Sequence, residues 1–222
     1  DSAIVASHRD GDTRVQDAYS LRCTPQVHGA ALDTIAYART IAERELRAAI
    51  DNPMIMPDGR VESCGNFHGA PLAMVCDFLA IAASEVSAIA ERRTDRMLDV
   101  GRSFGLPAFL SPDAGVNSGM MIAHYTQVAM ALENQRLAVP ASVQSMPTSA
   151  MQEDHVSNGW AAARKLRRSV DNLRRVLAVE FMCAAAALDL RGPLSPSPAT
   201  SAAVHALRTR VAGPNVDRWL SP

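Results

Sequence analysis

The stretch ARKLRRSVDNLRRVLAVEFMCAAAAL, residues 163–188, decides the fold class. Its apolar residues Leu166, Val170, Leu173, Leu177, Phe181, Ala184 and Leu188 step by four and three, the spacing at which one stripe of a helix faces its neighbours in a bundle. The first half carries a charged back: Arg164, Arg167, Arg168, Asp171, Arg174 and Arg175. In VLAVEFMCAAAAL the only charge is Glu180, so the second half should be enclosed by other helices.

Working outward, the same period predicts three more long helices. The first runs from Pro25 to Ile50 (Val27, Ala31, Ile35, Ala38, Ala42, Leu46), with proline near its start, where its missing donor costs nothing. DNPMIMPDGRVESCGNFHG, residues 51–69, breaks the period, and PDG within it signals a turn, so a short hairpin or loop belongs there. A second helix from about 70 to 100 is apolar on nearly every face through LAMVCDFLAIAASEVSAIA. A third spans about 117–138, the fourth about 150–190, and a short one follows from Thr200 to Val211. The reading is all-α, with residues 1–222 forming a single helical region. It is a long-helix bundle with more apolar surface than it can hide alone, which implies assembly with copies of itself into a multi-subunit helical core.

Composition narrows the function. The chain has 222 residues, 48% hydrophobic and 20% charged, with a formal charge of −1, which argues against nucleic acid or an anionic membrane as partner. The cysteines at 23, 64, 76 and 183 form no CxxC pair, so no metal site is expected. No apolar run long enough for a membrane span and no signal peptide stand out, so a cytoplasmic location is expected. The chain starts at Asp1 and reads as a piece of something longer.

Three clusters carry candidate chemistry. In VQDAYSLRC, residues 15–23, Gln16, Tyr19 and Arg22 lie three apart and would project from one side of a helical turn. An amide, a phenol and a guanidinium fork can grip a carboxylate, although a surface ion pair accounts for Arg22 equally well. In GNFHG, residues 65–69, glycines bracket Phe67 and His68, which can line a pocket. A lone His68 is more often a satisfied structural histidine than a base. In PTSAMQEDHVSNGW, residues 147–160, Ser149 and Gln152 match a capping box for the fourth helix. Glu153 and Asp154 would meet the positive end of that helix, and His155 is left unexplained.

Taken in order, VQDAYSLRCTPQVHG, IDNPMIM, ESCGNFHG, GLPAFLSPDAGVNSG, ENQRLAVPASVQS and PTSAMQEDHVS resemble the C-terminal half of the histidine-specific branch of the aromatic amino-acid ammonia-lyase family. The resemblance implies a helical homotetramer with active sites shared between subunits. Its substrate would be a small-molecule amino acid, and its reaction elimination of ammonia from L-histidine to give trans-urocanate in histidine degradation. It also implies a methylidene-imidazolone group cyclised from an Ala-Ser-Gly, a tripeptide this chain lacks; the chain alone is expected to be inactive.

Matched position by position, the resemblance makes Tyr19 and Glu153 catalytic, Tyr19 beside the reacting carbons and Glu153 at the imidazole or amino end. Arg22 holds the substrate carboxylate, Gln16 orders the site, Phe67 walls the pocket and Gln152 neighbours Glu153. On this reading the helix cap and the active site coincide, with Glu153 partly buried and poised. Met151, Thr24, Gln144 and Asn158 depart from the family pattern, and Thr24 and Gln144 resemble bacterial tyrosine lyases. Two alternatives stay open: a lyase or aminomutase acting on tyrosine or phenylalanine, and a non-catalytic helical assembly domain.

Overall fold

The computed structural model describes residues 1–213 and 216–218. The four long helices predicted by the apolar period all form, the last with a later start: α3 at Thr24–Glu45, α4 at Ala70–Leu98, α5 at Met121–Leu137 and α6 at Gly159–Asp189. Shorter α1 (Ala3–Ala6), α2 (Tyr19–Arg22) and α7 (Pro198–Arg208) complete the helices. Strands β1 (Met54–Ile55) and β2 (Val61–Glu62) pair antiparallel, Met54 opposite Glu62. The PDG signal is the turn between them, with Gly59 at φ +84° and its N–H donating to the Met56 carbonyl.

The chain divides into two compact units, one of residues 1–24, 88–130 and 174–222, the other of residues 25–87 and 131–173. In the first, Leu98, Leu106, Leu110, Met120, Ala123, Cys183, Ala186 and Ala187 form the core. Gln127 Nε2 donates to the Val176 carbonyl at 2.9 Å, and Glu91 meets His124 Nε2 at 2.7 Å. In the second, Ala73 of α4 and Ala162 of α6 pack with Ala141 of the loop after α5, small side chains that allow close approach. A polar ladder runs beside them. Asn134 Nδ2 donates to Ser87 Oγ (2.9 Å) and the Ser169 carbonyl (3.2 Å), and Asn172 Nδ2 donates to Glu133 (2.8 Å).

Three sequence expectations need correction. The buried stripe of α6 is not the expected seam: Ala162, Ser169, Val176 and Cys183, spaced by seven, are each 0% exposed, whereas Val170, Leu177 and Phe181 stay 42%, 38% and 41% exposed. Ser169 and Asn172 are interior yet polar, so hydrophobicity alone points one position around the helix. Second, α6 starts at Gly159, not near residue 150; residues 149–151 form a single tight turn with left-handed backbone (φ +50°, +53° and +75°) that no helix start can contain. The Ser149–Gln152 capping box therefore does not form. Third, α4 is long and apolar enough to cross a membrane by length and composition. Its buried Asp77 and Ser87, however, bond to protein partners, Ser142 and Lys165 for Asp77 and Asn134 for Ser87, as in a core helix.

Candidate active site

One candidate cluster lies in the first unit. Ala18 is extended (ψ 156°), and its carbonyl accepts from the Leu21 and Arg22 amides, which winds Tyr19–Arg22 into one turn. Tyr19 and Arg22 share its face, with the Arg22 guanidinium 4.5 Å from the Tyr19 ring centre, a cation–π distance. Gln16 precedes the turn and is exposed, so the expected three-residue face holds for two of its three members. The turn is anchored from behind. Arg93, paired with Glu180, also donates to the Ser20 carbonyl at 3.4 Å. The approach to it is braced by Arg14, which bridges Asp12 (2.6 Å) and Asp17 (3.0 Å) and lies 3.9 Å from the centre of the Phe104 ring. The Arg14 hydrogen bonds hold the Asp12 carboxyl down at about 2.

A second candidate cluster lies in the other unit and joins two loops. Residues 65–69 turn tightly, His68 N–H donating to the Gly65 carbonyl at 3.0 Å, and Asn66 Nδ2 ties the turn to the Ala49 carbonyl at 3.2 Å. Phe67 projects from it, 56% exposed. On the facing loop Thr148 and Glu153 form an isolated antiparallel bridge around the left-handed turn, and the Thr148 hydroxyl donates to Glu153 Oε2 at 2.6 Å. His68 Nε2 lies 3.0 Å from the His155 carbonyl, and the two imidazoles stack 5.7 Å apart and 9° from parallel.

The structure brings Phe67, Gln152 and Glu153 into one unit and Gln16, Tyr19 and Arg22 into the other. All six are exposed, which corrects the expectation of a buried Glu153: it projects from a loop ahead of α6, not from a packed helix start. Sequence reasoning missed Thr148. Its signal is a hydroxyl five positions before a carboxylate, recognisable only once the intervening residues are known to reverse the chain. Among the described residues no group of three or more His, Cys, Asp or Glu could hold a metal ion.

The family model for aromatic amino acid lyases matches residues 1–209. The chain belongs to the aromatic amino acid lyase family. Over its whole 222 residues it is 61% identical to histidine ammonia-lyase of Streptomyces avermitilis and 62% identical to that of Streptomyces coelicolor. It spans 43% of the length of either relative. Among solved structures, histidine ammonia-lyase from Trypanosoma cruzi superposes with a TM-score of 0.89 at 43% identity, over 92% of this chain and 41% of that one. Tyrosine aminomutase from Streptomyces globisporus gives 0.87 at 38% identity, over 98% and 43%. The all-α fold read from the sequence is thus that of the lyase family.

Proposed function

We propose that this chain is the C-terminal part of a histidine ammonia-lyase, a carbon–nitrogen lyase converting L-histidine to trans-urocanate and ammonia. The observation that carries the reading is identity of 61% and 62% along the whole chain to two histidine ammonia-lyases. The likeness to a tyrosine aminomutase at 38% identity supports a second reading, an aminomutase or lyase acting on tyrosine. Glu153 favours histidine, because a carboxylate can form an ion pair with a protonated imidazole, whereas a phenol offers it one hydrogen bond and no charge and a phenyl ring offers neither.

The reaction breaks the bond from Cα to nitrogen, removes a proton from Cβ and leaves a double bond between the two carbons. Arg22 offers a bidentate fork to the substrate carboxylate. Tyr19, held on the same turn beside that guanidinium, is assigned to the reacting carbons next to the carboxylate, a role its position beside Arg22 supports. Glu153, oriented by the Thr148 hydroxyl, takes the imidazole or amino end, with Gln152 beside it and Phe67 walling the pocket. Gln16 orders the electrophile's surroundings.

The methylidene-imidazolone of the family supplies the electrophile that makes the amine a leaving group. Its Ala-Ser-Gly lies outside this sequence, and the exposed Tyr19 (69%) and Phe67 (56%) fit the role of residues that border it. We assign the chain to a homotetramer with shared sites, in the cytoplasm and in histidine catabolism. Exposed apolar residues on four helices support the assembly, among them Leu32, Phe78, Ile122 and Phe181.

The test is ultraviolet absorbance of the full-length lyase given histidine, tyrosine and phenylalanine in turn. Urocanate from histidine supports the reading, and coumarate from tyrosine overturns it in favour of the second. Glu153→Gln should depress histidine turnover severely; near-normal turnover would remove Glu153 from the site.

A further inference from the structure

The loop carrying Phe67 and the loop carrying Glu153 touch at more than one point. His68 Nε2 reaches the His155 carbonyl at 3.0 Å, and the two rings stack nearly parallel, 9° apart. One residue further on, a Cβ added to Gly69 would come 3.2 Å from Ser157 Oγ. A Cβ added to Gly159 would come 3.4 Å from the Gly69 carbonyl. The backbones therefore run in close approach from His68 to Gly69 on one side and from His155 to Gly159 on the other.

Among the described residues, one side-chain hydrogen bond spans this approach near Glu153. A carbonyl can only accept, so Nε2 carries the proton and the His68 tautomer is set by His155. The rest of the Glu153 loop is held from other directions: Val156 N–H by Ser145 Oγ at 2.8 Å, and the Glu153 carboxylate by Thr148. Without the His68 bond, nothing among the hydrogen bonds of the described residues ties residues 152–155 to the turn that presents Phe67.

We propose that His68 is a positioning residue: by donating from Nε2 to the His155 carbonyl and stacking on its ring, it fixes the Glu153 carboxylate relative to Phe67. This deepens the proposed function and rests on the assignment of Glu153 to the substrate's imidazole or amino end. His68 need not touch substrate; it acts through the backbone two residues beyond Glu153.

Three variants of the full-length lyase separate donor, ring and bulk. His68→Phe keeps a ring and removes the donor, His68→Gln keeps an amide donor and removes the ring, and His68→Ala removes both. Misplacing a reacting group by about 1 Å costs on the order of 100-fold in rate, so His68→Phe and His68→Ala should each lower kcat/KM for L-histidine by roughly that factor. His68→Gln should stay within about tenfold of the parent.

Amide hydrogen exchange across residues 152–156 should quicken in His68→Phe and not in His68→Gln. If His68 acts through Glu153, adding His68→Phe to Glu153→Gln should cost little more than Glu153→Gln alone. Should His68→Ala fail to fold, the comparison of Phe with Gln still decides. Near-parental kcat/KM in His68→Phe overturns the proposal, as does a His68→Gln loss equal to that of His68→Phe, or full multiplicativity with Glu153→Gln. An unimpaired Glu153→Gln sinks the functional reading and this proposal together. An impaired Glu153→Gln beside an unimpaired His68→Phe sinks only this one.

Discussion

Replacing Lys165 by methionine removes the cation facing one of the most deeply buried carboxylates of the fold. Asp77 is 1% exposed on α4; Lys165 Nζ on α6 lies 2.7 Å from one of its oxygens, and the Ser142 amide donates to the other at 2.8 Å. Burial pushes the Asp77 carboxyl up, but the hydrogen bonds from Lys165 and Ser142 outweigh it and leave the group below its ordinary value. Breaking such a pair by removing one partner costs about 3–5 kcal/mol when both charges are dry. Here the Lys165 side chain keeps 20% of its exposure and the Ser142 bond survives, which lowers the expected loss. About 2–3 kcal/mol remains, a roughly 30- to 150-fold shift toward the unfolded state.

The pH dependence has a definite sign. A carboxyl held lower in the folded than in the unfolded chain contributes stability that is complete above the ordinary carboxylate range and is lost as pH falls through the folded value. In Lys165→Met, burial dominates and the variant is penalised while Asp77 stays ionised. The gap between parent and variant should therefore be widest near neutrality and narrow toward about pH 4 and below. Urea unfolding followed by circular dichroism, at both ends of that range, measures it. An undiminished gap at low pH would refute the reasoning, as would a coupling below about 0.5 kcal/mol in the cycle of Asp77→Asn with Lys165→Met.

Three further outcomes follow from other places in the fold. Gly119→Ala should lower the melting temperature, because Gly119 sits at φ +56° and its new Cβ would come 2.5 Å from the Phe109 carbonyl; strain and overpacking together predict about 2–3 kcal/mol. Cys183 is fully buried, and burial followed by the Glu180 charge pushes its thiol up to about 12, so neutral alkylating reagents should leave it unlabelled until denaturant is added. In the full-length lyase Arg22→Ala should raise KM for L-histidine by about 30- to 150-fold, the equivalent of about 2–3 kcal/mol for a lost charged contact. Arg22→Lys should fall between, since an ammonium supplies charge without the planar fork; a KM unchanged in Arg22→Ala would detach it from the carboxylate.

What the sequence could and could not announce divides along a physical line. The helices were legible because each must present apolar residues at its own period; α4 and α5 start and stop near where that period does, α3 starts there, and α6 ends there although it starts at Gly159. Which face of α6 points inward was not legible. The interior holds Ser169 and Asn172, whose burial is stabilised by partners on other elements, and a hydrophobicity pattern records no partners. Val170, Leu177 and Phe181 form instead a second stripe, left open in this chain. Exposed apolar stripes of this kind mark surfaces that another element covers, so the mismatch between the expected and the observed seam supports the proposed assembly.

The Glu153 loop failed to read correctly for a related reason. Ser149 and Gln152 carry the composition of a helix cap, and nothing local forbids one. Yet Thr148 and Glu153 pair across the turn, and His155 gives its carbonyl to His68 from a segment 87 positions away. Three successive non-glycine residues in left-handed backbone cost on the order of 1–2 kcal/mol each. A chain gains nothing locally from that conformation. It is kept where surrounding structure over-determines it, and strain of this kind collects at sites that must hold a group out toward a ligand. The strained turn ends one residue before Gln152, two before the carboxylate on which the substrate assignment rests. A variant that relaxes it, Ala150→Gly, should therefore leave the fold as stable or more so while changing histidine turnover. Unchanged turnover would mean that the left-handed turn serves the loop alone and that Thr148 suffices to orient Glu153.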